Sequence, residues 1–153
     1  MPIPPLVQKS RKLLEAQVTK AIVKFMKRNG WRPIRHQRTV VPGAFQTAEP
    51  GMADYQFLLY LPEMPGLSLC VWVEMKGQTD RRKCSCLQRA ALGKRGVCGV
   101  CRQANWRKRE EALGALFGPG HDPVEFEKWY DSQFHDFSAR MQKQMAFDLR
   151  GKK

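Results

Sequence analysis

Asp54, Glu74 and Lys76 are the residues of this chain whose types and spacing offer chemistry. The run Val71-Trp72-Val73-Glu74-Met75-Lys76 has the pattern of a strand. Strand side chains alternate, so Glu74 and Lys76 project to one face and Val73 and Met75 to the other. A carboxylate and an ammonium on an otherwise apolar strand are costly to bury without partners. A second apolar segment, Asp54 to Leu61, precedes this one, and Pro-Glu-Met-Pro-Gly between them reads as a hairpin connection. A hairpin sets the start of one strand beside the end of the other, which puts Asp54 next to Glu74. Two close carboxylates repel unless a cation bridges them or one takes up a proton. Oxygen ligands select a hard cation, and Mg²⁺ accepts one or two carboxylates, keeps several waters and binds phosphate directly. Lys76 would orient or activate a water, or neutralise a phosphorane, as a compact point charge. These are the parts for metal-assisted attack of water on a phosphodiester. The plainer alternative is a surface ion pair between Glu74 and Lys76.

Such residues need a scaffold, and the chain is long enough to supply one. Its 153 residues fit one domain with a real core, and 42% hydrophobic content fits a folded protein. The 27 Lys and Arg against 14 Asp and Glu leave a charge of +13, which favours a polyanionic partner, nucleic acid first and anionic membrane second. No apolar run approaches the roughly 18 residues of a membrane span, and none resembles a secretory signal. An intracellular protein with no membrane partner is expected.

The coarse pattern is helix, three strands, helix, strand, helix, helix, a mixed α/β fold. A first helix is expected from about Leu6 to Asn29, with Leu14, Val18, Ala21, Ile22 and Phe25 on one stripe and Gly30 as its stop. Trp31 to Val41 reads as a strand that Pro33 places at an edge. After the two apolar strands, a helix is expected from about Ser85 to Lys94, a short β-prone run at Val97 to Cys101, and a helix from Trp106 to Phe117. Asp122-Pro123-Val124-Glu125 has the form of a helix N-cap with Pro at N1 and Glu at N3. The final helix carries Phe126, Trp129, Tyr130, Phe137, Met141 and Met145 at helical spacing; core or a homodimer interface is the expected use of its aromatic residues.

The arrangement Gly51-x-Ala53-Asp54, then 19 residues, then Glu74-Met75-Lys76, followed by Ser85-x-x-Gln88, resembles the VRR-NUC family of the PD-(D/E)XK nuclease superfamily. The resemblance covers roughly residues 10 to 117. It implies a restriction-endonuclease-like core of helix, three-stranded antiparallel unit, helix and strand in residues 1–120, with residues 121–153 as a helical extension packed on the same domain. It implies Mg²⁺ or Mn²⁺ held by Asp54, Glu74 and the backbone carbonyl of Met75, with Lys76 catalytic. Gln88 stands at the family's glutamine, and Leu92 and Gly96 continue the spacing. Glu15 stands at the acidic residue of the first family helix, as a metal ligand directly or through water. Ala53 departs from the proline of the superfamily's name, which removes no ligand. On a helical wheel Glu15 lies at the border of the buried stripe, and Ser85 with Gln88 also has the form of a capping box. The implied activity is a metal-dependent endonuclease on DNA, with branched, flap or Holliday-junction DNA as the implied substrate.

The remaining features bear on partners. Arg81, Arg82 and Lys83 follow the Glu74 strand directly, and Arg35 and Arg38 lie on the first strand, so these are the expected phosphate contacts. No pattern of interleaved aromatics marks a base-stacking platform, so recognition through backbone and shape is expected. Cys70, Cys84, Cys86, Cys98 and Cys101 are odd in number, which argues against a disulfide framework. If Val97 to Cys101 is a strand, Cys98 and Cys101 face opposite sides and cannot share a metal; a zinc site needs that segment to be a turn, which Gly96 and Gly99 permit. The rival to an enzyme is therefore a non-catalytic basic nucleic-acid-binding protein with structural zinc at these cysteines.

Overall fold

The computed structural model describes residues 12–36 and 49–150. Along them run α1 (Glu15–Arg28), β1 (Arg32–Arg35), β2 (Tyr55–Tyr60), β3 (Ser68–Val73), α2 (Cys86–Ala91), α3 (Gly99–Ala112), β4 (Leu116–Gly118) and α4 (Pro123–Arg150). The strands form one open mixed sheet in the order β1-β2-β3-β4. β1, β2 and β3 are antiparallel neighbours and β4 lies parallel to β3. A parallel pair requires a long crossover, and α2 and α3 provide it. The chain is a mixed α/β fold, and among the described residues no helix is long and apolar enough to cross a membrane.

Period-two alternation sorts the sheet into two faces. Phe57, Val71, Val73 and, just past β3, Met75 are buried together with Val18, Ile22 and Met26 of α1, Trp31, and Phe126 of α4. Trp72 points the other way, where it packs with Ala53, Trp106 of α3 and Phe117. Full burial of side chains of this size contributes roughly 1.5–3 kcal/mol each. The sheet is thus covered by α1 and α4 on one face and by α3 on the other. The α3 face is the one that Glu74 shares with Trp72.

The first and last helices follow their expected patterns with one correction. Val18, Ile22 and Met26 form the buried stripe of α1, while Leu14 is exposed and Phe25 meets Phe126 and Tyr130 edge-on. The helix begins at Glu15 rather than Leu6: residues 12–14 are not helical, and residues 1–11 lie outside the described ones. Tertiary contact sets this start. The Leu13 amide donates to Gln78 Oε1 at 2.7 Å and the Gln78 amide to the Leu13 carbonyl at 3.1 Å, holding Leu14 extended. At α4, Asp122 caps as expected, its Oδ1 accepting from the Val124 amide at 2.8 Å. Phe126 is buried in the internal core and Trp129 and Tyr130 pack against it, Tyr130 also accepting from Trp31 Nε1 at 3.1 Å.

The crossover differs more from the expected elements. Val97 to Cys101 is no strand, because Cys98 is the N-cap of α3 and Gly99 begins the helix. The helix expected over Trp106 to Phe117 starts earlier and ends at Ala112, after which Leu116–Gly118 joins the sheet as β4. Of the strand expected over Trp31 to Val41, Arg32–Arg35 is β1, and residues 37–48 lie outside the described ones.

Candidate active site

The β2–β3 register pairs Tyr55 with Val73, and the next step outward sets Asp54 beside Glu74. The pairing continues past β1, where the His36 amide donates to the Asp54 carbonyl at 2.8 Å. Asp54 Oδ2 accepts from the Met75 amide at 3.0 Å. Glu74 Oε1 accepts from Lys76 Nζ at 2.6 Å and from Gln103 Nε2 on α3. The second carboxylate oxygen of Glu74, Oε2, is buried and has no hydrogen-bond partner among the described residues. An unpartnered buried carboxylate oxygen carries a large desolvation cost, which a proton or a cation would offset.

The electrostatics point the same way. Burial pushes the Glu74 carboxyl above its ordinary value, the hydrogen bond from Lys76 opposes this, and repulsion from Asp54 adds to it. A proton relieves that strain at low pH, and a bridging cation relieves it at neutral pH. The donors here are carboxylate oxygens, the ligand type that hard divalent cations take. Glu74 and Lys76 open into a cleft of about 610 Å³ whose lining includes Gly51, Ala53, Gln103, Trp106, Arg107, Gly120 and His121. Asp54 is not itself part of that lining; its neighbour Ala53 is, and its carboxylate turns toward the Met75 amide.

Two close backbone approaches set these positions. Gly51 has φ +94°, and a Cβ there would meet the Arg102 carbonyl oxygen at 2.5 Å, so glycine lets the start of α3 close over the segment before Asp54. The segment after β4 crosses beside Glu74 itself, and the Lys76 amide donates to the Gly120 carbonyl at 2.9 Å.

The other expected site residues fall elsewhere. Gln88 is exposed on α2 and does not line the cleft, and Ser85 makes no side-chain cap, so neither the catalytic nor the capping-box expectation for this pair is met. The glutamine that reaches Glu74 is Gln103. Glu15 is exposed at the first turn of α1, and its carboxylate pairs with Arg82 at 3.6 Å rather than with Asp54 or Glu74, although its amide lies against Gly77. Arg82 also pairs with Asp80 at 2.9 Å, whereas Arg81 and Lys83 are exposed with no ion pair among the described residues. Arg35 is exposed on β1, and Arg38 lies outside the described residues. Gln103, Trp106 and Arg107 were missed by the sequence reading. Their i, i+3, i+4 spacing was the available signal, since it places all three on one face of a helix that starts before Trp106.

The cysteines also come together. The sulfurs of Cys84, Cys86, Cys98 and Cys101 lie within 4.8 Å of one another, and all four are free thiols. The expectation that Cys98 and Cys101 face opposite sides is overturned: at the N-cap and first turn of a helix, three residues apart, they share a face. Hydrogen bonds from the Cys101 and Ser85 amides pull Cys98 down to about 5. The neighbouring sulfurs of Cys84, Cys86 and Cys98 push Cys101 up to about 12.

A scan against family models and searches of curated proteins and of solved structures return no match to the chain.

Proposed function

We propose that this chain is a divalent-metal-dependent nuclease that hydrolyses DNA phosphodiester bonds on a restriction-endonuclease-like core. One observation carries the reading: Glu74 sits between Lys76 and Gln103 with Asp54 beside it, and its second oxygen is buried without a partner. Asp54, Glu74 and the Met75 carbonyl would hold Mg²⁺ or Mn²⁺, which when bound supplies Lewis-acid polarisation of phosphate and a more acidic water. Lys76 orients the attacking water and offsets the charge that builds on the phosphoryl oxygens. Gln103 fixes the Glu74 carboxylate by holding Oε1, which would leave Oε2 available as a ligand. The order helix, three antiparallel strands, helices, parallel strand supports the core assignment. The VRR-NUC resemblance extends the proposal to branched, flap or junction DNA as substrate.

The test is incubation of the chain with linear duplex and branched DNA in Mg²⁺ or Mn²⁺. Cleavage that EDTA abolishes is the expected result. Metal-independent DNA binding with no cleavage of any substrate would reject the enzyme in favour of a non-catalytic binder.

The charge distribution gives a second expected outcome. Arg81 and Lys83 are exposed with no ion pair among the described residues, which supports assigning them phosphate contacts in this proposal. Replacing both with alanine is expected to reduce the slope of log K against log salt by about 2, and to weaken binding similarly across sequences. Titrations at several salt concentrations measure this. An unchanged slope would remove these two residues from the interface.

A further inference from the structure

We propose that Cys84, Cys86, Cys98 and Cys101 form a tetrathiolate zinc site that staples the crossover and fixes the start of α3. The sulfur geometry fits the ion. Cys84–Cys101, Cys86–Cys101 and Cys84–Cys98 sulfur separations are 3.3, 3.7 and 3.9 Å. A tetrahedron with Zn–S bonds of about 2.3 Å has edges of about 3.8 Å. The amides of Ser85, Cys86 and Cys98 point at sulfurs of the cluster at 3.5, 3.5 and 3.3 Å, donors that stabilise thiolates. Four soft sulfur ligands select zinc over the hard cation suited to Asp54 and Glu74, so ligand chemistry sorts two metals between two sites.

A second, independent observation shows what the ion does there. From Lys76 through Val97 no residue is buried; the next buried one is Cys98. α2 buries nothing, and its own Leu87 and its C-cap Leu92 are 88% and 72% exposed. A segment of this length without a core has no hydrophobic means of holding one conformation, and a structural metal is a known substitute. Two of the four ligands, Cys98 and Cys101, cap and begin α3. Zinc at the cluster therefore fixes the helix end that packs its Arg102 carbonyl on Gly51 and carries Gln103 to Glu74.

Metal analysis of the full chain, purified without chelator, is expected to find one zinc per chain. Exchange with Co²⁺ is expected to give the intense visible absorption of tetrahedral cobalt thiolate. Cys98→Ser and Cys101→Ser lose the zinc, while Cys70→Ser, outside the cluster, keeps it. Asp54→Asn and Glu74→Gln also keep one equivalent, which separates this proposal from the nuclease reading. Zinc lost from those two carboxylate variants and kept in Cys98→Ser would place the ion elsewhere and overturn the proposal. So would folded wild type that holds no zinc and gives no tetrahedral Co²⁺ spectrum, or one that holds iron instead. Where the serine variants do not fold, the wild-type stoichiometry and cobalt spectrum decide alone.

Discussion

Glu74→Gln is expected to lower metal-dependent DNA cleavage on the order of 10³-fold while making the metal-free protein more stable at neutral pH than wild type. The two effects share one cause. In the proposed chemistry Glu74 is a metal ligand, whose loss would remove several kcal/mol of transition-state stabilisation, and each 1.36 kcal/mol is a factor of ten in rate. The same carboxylate is held above its ordinary value near 4.5, first by burial and further by Asp54, against the opposing Lys76 hydrogen bond. A group whose value is raised on folding contributes stability that is fully present below its unfolded value and is lost as pH rises through the raised one. Glutamine has no such titration, keeps the shape, and can accept from Lys76 and Gln103 while its amide turns toward Asp54. The melting temperature of Glu74→Gln minus that of wild type, measured in EDTA, should therefore increase from about pH 4 upward. Added Mg²⁺ should reverse the order, because binding stabilises the state that holds the ligand, by about 2.7 kcal/mol at 100 times Kd. A pH-independent difference would show that Glu74 is not strained by its surroundings. Undiminished cleavage would remove it from the chemistry.

How much of this was legible in the sequence depends on the range of the forces involved. Asp54, Glu74 and Lys76 were readable because period-two alternation and a short hairpin are local, and the Tyr55–Val73 register brings the carboxylates together. The buried stripe of α1 was readable for the same reason. Its start was not, since the contact of Leu13 with Gln78 ends the helix from across the fold. Gln103 was missed because Val97, Cys98 and Val100 favour a strand locally, a weak preference that tertiary placement of the cysteines overrides. β4 has three residues, too few to show any period, and its pairing with β3 depends on a partner far along the chain. Gln88 had the spacing of a site residue but sits on a helix that buries nothing, and spacing alone does not reveal burial.

Gly120→Ala is expected to cost about 3 kcal/mol of stability, a drop in melting temperature on the order of 10 °C, and to reduce cleavage on the order of 10²-fold. No side chain near the proposed chemistry is altered by this change. A Cβ at Gly120 would lie on the Glu74 carbonyl group, 2.7 Å from its carbon and 3.0 Å from Val73 Cγ1. The nearest obstacle is backbone on both sides, so no rotamer change relieves it, and the segment after β4 must move away from β3. That movement lengthens the bond from the Lys76 amide to the Gly120 carbonyl, the contact that holds the strand end carrying Glu74, Met75 and Lys76. A displacement of about 1 Å at such a site is enough for a loss of that size in rate. Gly99→Ala is the matched comparison, because a Cβ there meets nothing within 4 Å and the residue opens a helix. It should be neutral or slightly stabilising, since alanine exceeds glycine in helix propensity by up to about 1 kcal/mol. Thermal melts of both variants, with single-turnover cleavage at saturating metal, separate the cases. Equal behaviour of the two would mean that the approach of Gly120 to Glu74 does not set the geometry of the site. A large loss confined to Gly120→Ala would mean that the strand end carrying Glu74 and Lys76 is positioned by a backbone contact from the segment after β4.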